Sequence, residues 1–177
     1  MSSEKPKPKP PPPPTLSRLA GDSLVETIDG PMEIVNLVGK VMPVTTRLAD
    51  GAMGFRMMIH IREIEADAPL VRLENQDGQT LVVGADHVFV AADGSEVRAS
   101  ELQAGAELEP SWSYPSGYPV PDAPEYGEHI RGREFANPVR VTAVSDAGRG
   151  AVYGATVKQT AAYYLTFGAK SRAQAAA

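Results

Sequence analysis

The chain has 177 residues, with 22 acidic against 17 basic side chains for a formal net charge of −5, and it has no cysteine. That balance gives no general attraction to nucleic acid or to an anionic membrane surface, and the missing thiols exclude disulfides, thiolate metal sites and a sulfur nucleophile. The length suits one domain with its own core, no apolar run approaches the ~20 residues of a membrane-spanning helix, and prolines stand where a signal peptide has its apolar centre; the expectation is a soluble cytoplasmic protein without metal or cofactor.

Met1 to Thr15 alternate lysine with proline and then run through five prolines, Pro10 to Pro14. Consecutive prolines lock φ and remove backbone donors, so residues 1–15 predict an extended, solvated rod. It serves either as a spacer or as a ligand for a proline-recognising groove, with Lys5, Lys7 and Lys9 supplying flanking charge. From Ser23 the text becomes β. Leu24 to Ile28, the turn Asp29-Gly30-Pro31 and the return Met32 to Val35 form a hairpin signal. After a mixed stretch and turn glycines at Gly51 and Gly54, Phe55, Met57, Ile59 and Ile61 alternate with Arg56, Met58, His60 and Arg62. That alternation predicts a strand with His60 on its more polar face.

Leu70 to Leu73 lead to a turn at Asp77-Gly78, and then comes the stretch around which the chain is organised, Thr80 to Gly105. Leu81 and Val83 alternate with Thr80 and Val82 as a half-buried strand requires, and the β pattern resumes at His87-Val88-Phe89-Val90. Asp93-Gly94 favours a hairpin turn, and Ala99 to Gln103 before Gly105 read as one short helical turn with a glycine stop. Residues 110–138 differ in kind: Trp112, Tyr114, Tyr118, Tyr126 and Phe135 are interspersed with prolines and show little periodicity. Such an excursion either presents a protein-binding surface, for which aromatics give large area at low entropy cost, or folds back over the core. His129 has no second ligand near it in sequence. Val139 to Val144 resume the β alternation, a turn follows at residues 146–150, and two more strands close a domain spanning 16–169. Residues 170–177 offer little to bury and predict a flexible tail.

Three blocks in this order resemble the Hint superfamily of inteins, Hedgehog autoprocessing domains and bacterial intein-like domains. They are Leu19 to Val25 with Asp29-Gly30 and Ile34 to Gly39; Thr80 to Gly105; and Val152 to Val157 with Tyr163 to Gly168. The resemblance implies an all-β, horseshoe-like fold of hairpins. It also implies rearrangement of a peptide bond at the domain's N-terminal edge by a cysteine or serine nucleophile. Arg18 stands where that nucleophile belongs, with Ser17 one residue away. The histidine of the second block is His87, preceded by Asp86, while Gly84 takes the place of the family's threonine. Ser171-Arg172 stand at the place of the terminal asparagine.

These departures predict a domain unable to splice that acts as a structural or protein-binding module, through its proline-rich segment or the aromatics Trp112, Tyr114, Tyr118 and Tyr126. The alternative is residual self-cleavage at Leu16-Ser17 by an acyl shift, with Ser17 as nucleophile, His87 as acid and Asp86 beside it. Another reading, a generic small β-barrel, differs in one testable respect: only the Hint fold pairs strands of the first and last blocks.

Overall fold

The computed structural model of the chain describes residues 16–49, 53–110 and 138–176. The proline-rich residues 1–15, the aromatics Trp112, Tyr114, Tyr118 and Tyr126, and His129 lie outside the described residues. The strands are β1 (Leu19–Ala20), β2 (Leu24–Thr27), β3 (Gly30–Glu33), β4 (Met42–Arg47), β5 (Met53–Asn75), β6 (Thr80–Gly84), β7 (Val88–Val90), β8 (Glu96–Arg98), β9 (Glu107–Leu108), β10 (Val139–Lys158), β11 (Ala162–Tyr164), β12 (Lys170–Arg172) and β13 (Gln174–Ala176). Two 3₁₀ turns, Ile34–Leu37 and Ala99–Glu101, are the helical segments among the described residues, and neither is long or apolar enough to cross a membrane.

One sheet runs in the order β13-β10-β1-β6-β5-β4-β2-β3, with β9 beside β10 and β10 also paired directly to β5. A second runs β11-β12-β7-β8. The first and last blocks are strand partners: Leu19 faces Tyr153 and Ala20 faces Val152. This is the pairing that separates the Hint fold from a generic barrel. The expected hairpin at Asp29-Gly30 forms, with Thr27 opposite Gly30. The glycine's φ of +94° is the left-handed backbone that a side chain resists.

The long strands β5 and β10, of 23 and 20 residues, wind together with five register shifts. One shift lies between the pairs Arg62–Gly154 and Ile59–Thr156, so His60 and Ile61 share a single residue of β10 between those pairs. His60 takes the extra place with φ of +52°, and it is exposed. The bulge resets the alternation that the sequence suggests. Met58 and Ile61, three apart, both point into the core, while Phe55 remains 45 % exposed.

The core joins Leu19, Val25, Ile34, Leu37, Val44, Leu73, Val83, Phe89, Leu108, Val141, Val157, Tyr163 and Leu165. The expectation of a flexible tail at 170–177 is corrected for residues 170–176. Ser171 sits between Tyr163 of β11 and Phe89 of β7, β13 lies parallel to β10 with Thr156 opposite Gln174, and Ser171 and Ala173 are buried. The buried positions, Ser171 and Ala173, carry small side chains that fit between closely spaced strands.

Candidate functional site

Strand β1 is short because the chain turns at Gly21, where Ser23 N–H returns to Ala20 O at 3.0 Å. The preceding residues are drawn inside. Val88 N–H donates to Leu16 O at 3.0 Å and Gly84 N–H to Arg18 O at 2.7 Å, so the segment 16–18 is held against the turn joining β6 to β7. That turn is closed by His87 N–H to Gly84 O at 3.0 Å. It places the His87 imidazole inward, edge-on to Phe89 with ring centres 4.6 Å apart.

Both imidazole nitrogens are engaged. Arg18 N–H donates to Nδ1 at 2.8 Å, and Nε2 lies 2.9 Å from Ser171 Oγ. A backbone N–H can only donate, so Nδ1 is the acceptor and Nε2 carries the proton, which it gives to Ser171. The Tyr163 phenol bonds both Ser171 and Ser17. In the Ser17–Tyr163 bond either hydroxyl can donate. Ser17, His87, Tyr163 and Ser171 all have 0 % exposure. The ring of bonds begins and ends at adjacent residues, Ser17 and Arg18.

Burial fixes the charge of this ring at zero. Desolvation lowers the His87 pKa from 6.5 to about 3, because an imidazolium there would lose its hydration without gaining an anion. Burial likewise pushes the Tyr163 phenol up, against the opposing pull of its bonds from Ser17 and then Ser171. Above about pH 4, therefore, His87 is not a stored proton source. Nor is it a base toward Ser171, since the nitrogen facing that hydroxyl is the protonated one.

Of the residues singled out by sequence, the structure brings Ser17 and His87 into one cluster through Tyr163 and Ser171 but puts no direct bond between them. Asp86 is not part of it: it is exposed, as is Asp22, and neither carboxylate bonds to His87. Among the described residues no three His, Asp or Glu side chains gather as a metal site would need.

Position 18 faces the histidine through its amide, yet its guanidinium turns away to pair with Glu65. At position 84 a Cβ would meet Arg18 Cβ at 3.0 Å, Arg18 O at 3.2 Å and Val152 Cγ1 at 3.2 Å. The place of the family's threonine is therefore occupied by neighbouring chain. Sequence alone does not mark Tyr163 or Ser171 as site residues; for Ser171 the available signal is the alternation Lys170, Ser171, Arg172 with a small central residue.

No family model matches the chain, and no curated protein sequence matches it. Solved structures do. A G-1F mutant of the Ssp DnaB mini-intein variant M86 superposes with a TM-score of 0.71 at 16 % identity, covering 89 % of this chain and 98 % of that one. The DnaX mini-intein from Spirulina platensis gives 0.64 at 12 %, covering 88 % and 99 %. The bacterial intein-like domain from Clostridium thermocellum gives 0.61 at 16 %, covering 88 % and 98 %. These likenesses establish the fold: the chain has the all-β Hint fold of the inteins.

Proposed function

We propose that this Hint-fold domain does not splice and serves as a structural or protein-binding module of the cytoplasm. The observation that carries this reading is the bond from Arg18 N–H to His87 Nδ1 at 2.8 Å. It marks Ser17-Arg18 as the amide that the histidine addresses, and the residue following that amide carries a guanidinium, which cannot attack a carbonyl. The fully bonded ring and the filled space at Gly84 support the same reading: a cluster that holds the N-terminal segment in the fold. Residues 1–15 and the aromatics Trp112, Tyr114, Tyr118 and Tyr126 remain the proposed contact surfaces for a protein partner.

One observation favours a second reading, self-cleavage at Leu16-Ser17. Val88 N–H already holds the Leu16 carbonyl oxygen at 3.0 Å, the position of a donor that would stabilise charge developing there. In that reaction Ser17 Oγ bonds to the Leu16 carbonyl carbon, the bond to Ser17 N breaks, and the hydroxyl proton passes to the freed amine. The product is an ester. Against it, His87 Nδ1 addresses Arg18 N rather than Ser17 N.

Intact mass of the full chain, with and without prolonged hydroxylamine, decides between the two. An unchanged mass is expected. A hydroxamate of residues 1–16 together with free 17–177 overturns the inactive reading, and loss of those products in Ser17→Ala and His87→Ala would assign the chemistry.

A further inference from the structure

Strand β6 is covered on one side by β5, from Leu70–Gly84 to Glu74–Thr80. On the other side it meets β1 at a single pair, Leu19 with Val83. Gly84 N–H points toward β1, where it bonds Arg18 O. Because backbone groups alternate sides along a strand, those of Val82 and Thr80 point the same way. Val82 O receives the Ser23 hydroxyl at 3.1 Å. Beyond it, among the described residues, no strand pairs with this side of Thr80.

The chain from Asp22 to Leu24 veers away from β6 at this point and bonds instead to the next turn, Thr166 N–H to Leu24 O at 3.0 Å. A cleft of about 450 Å³ opens between them. Its lining combines the strand edge Thr80–Val82 with Leu24 and Phe167, and Arg72 and Asp22 supply opposite charges. The Thr166 hydroxyl, also in the lining, is buried without a hydrogen-bond partner among the described residues.

We propose that this cleft binds an extended peptide segment of a partner protein, which adds as a short strand to the open edge of β6 and places an acidic side chain toward Arg72. The strand edge supplies a donor and an acceptor at the spacing of a peptide backbone, and only another extended backbone answers both. Leu24 and Phe167 provide the apolar contact for an intervening side chain, and Thr166 Oγ1 gains the partner it lacks among the described residues. The proposal rests on the protein-binding reading and adds a surface to the proline-rich and aromatic segments already proposed for it.

The probe is a set of linear heptapeptides selected by phage display on the full-length protein, titrated into ¹⁵N-labelled protein. Selected peptides carrying an Asp or Glu should shift the Thr80 and Val82 amides and slow exchange of the Thr80 amide. Thr80→Pro removes the open donor at the first position of the strand and should weaken binding by roughly tenfold, the loss of one backbone bond. Arg72→Glu, an exposed change that leaves the fold intact, should turn the selection toward basic peptides. Peptides that bind but shift amides of residues 110–138 would overturn this site and leave the binding-module reading standing. Failure to select any peptide, or binding indifferent to both variants, overturns it as well. Hydroxylamine-released fragments would remove the inactive-module reading without bearing on the cleft.

Discussion

The N–H of Arg18 donates to Nδ1 of His87 across 2.8 Å, and this bond holds the imidazole neutral in a site where burial already lowers its pKa to about 3. In the unfolded chain the same group returns to its ordinary value of 6.5. Between those two pH values the unfolded chain binds a proton that the folded chain refuses. Stability is therefore full above pH 6.5 and is lost as pH falls toward 3, with a slope approaching about 1.4 kcal/mol per pH unit. Urea unfolding at steps from pH 7.5 to 5, above the range where carboxylates dominate, should show this limb. His87→Asn, which keeps an acceptor and a donor but does not titrate, should flatten it; equal slopes in the two proteins would remove His87 as the cause.

Each deletion within the ring strands a partner. His87→Ala leaves the Arg18 N–H without its acceptor, takes from Ser171 one of its two partners and opens a cavity, for an expected loss of about 3 kcal/mol. Tyr163→Phe and Ser171→Ala should each cost about 1–2 kcal/mol. Because they share a bond, the double variant should lose less than the sum of the two, by at least about 0.5 kcal/mol. Strict additivity in chemical denaturation would mean that the phenol and the serine are not coupled.

Removal of residues 170–177 is a direct test of the last strands. A frayed tail could be cut without effect. Since β12 carries the buried Ser171 and the following Ala173 is 1 % exposed, the truncated chain should melt at least roughly 10 °C lower, by the usual relation between stability and melting temperature at this size. An unchanged melting temperature would contradict the pairing of Ser171 with Tyr163 and Phe89.

Gly84→Thr restores the residue type that the family resemblance calls for, but into space that is already filled. With Arg18 Cβ at 3.0 Å from the new Cβ, the β1–β6 contact must shift, for an expected cost of about 1–3 kcal/mol. Intact mass should show no new cleavage. A stable variant that releases residues 1–16 would show that the segment can reseat, and that Gly84 alone had silenced the site.

The turns were legible because Asp29-Gly30, Asp77-Gly78 and Asp93-Gly94 need backbone that few residues adopt, and all three glycines have positive φ. His87 was legible for its place between two β runs. Its partners were not. Tyr163 looks like any core aromatic in a run of apolar residues, and its role depends on a contact 146 positions away at Ser17. Ser171 is hidden for another reason: composition marks the segment from Lys170 as polar and small, whereas the burial of Ser171 and Ala173 comes from strands distant in sequence closing over them. The bulge at His60 was equally out of reach, because its cause lies in the register of the opposite strand rather than in local alternation.

The ring joins residues far apart in the chain, Ser17 and Tyr163 being separated by 146 positions, and a ribosome delivers them in order. Ser17 and Arg18 leave the exit tunnel well before the phenol of Tyr163 and the hydroxyl of Ser171 that complete the ring. Until then the nascent domain has β5 without β10 and an uncovered face at β7. Such distant pairings form slowly, and exposed strand edges meanwhile invite misassembly. The interval between synthesis of His87 and of Ser171 is thus the period in which a growing chain of this protein most needs a chaperone's protection.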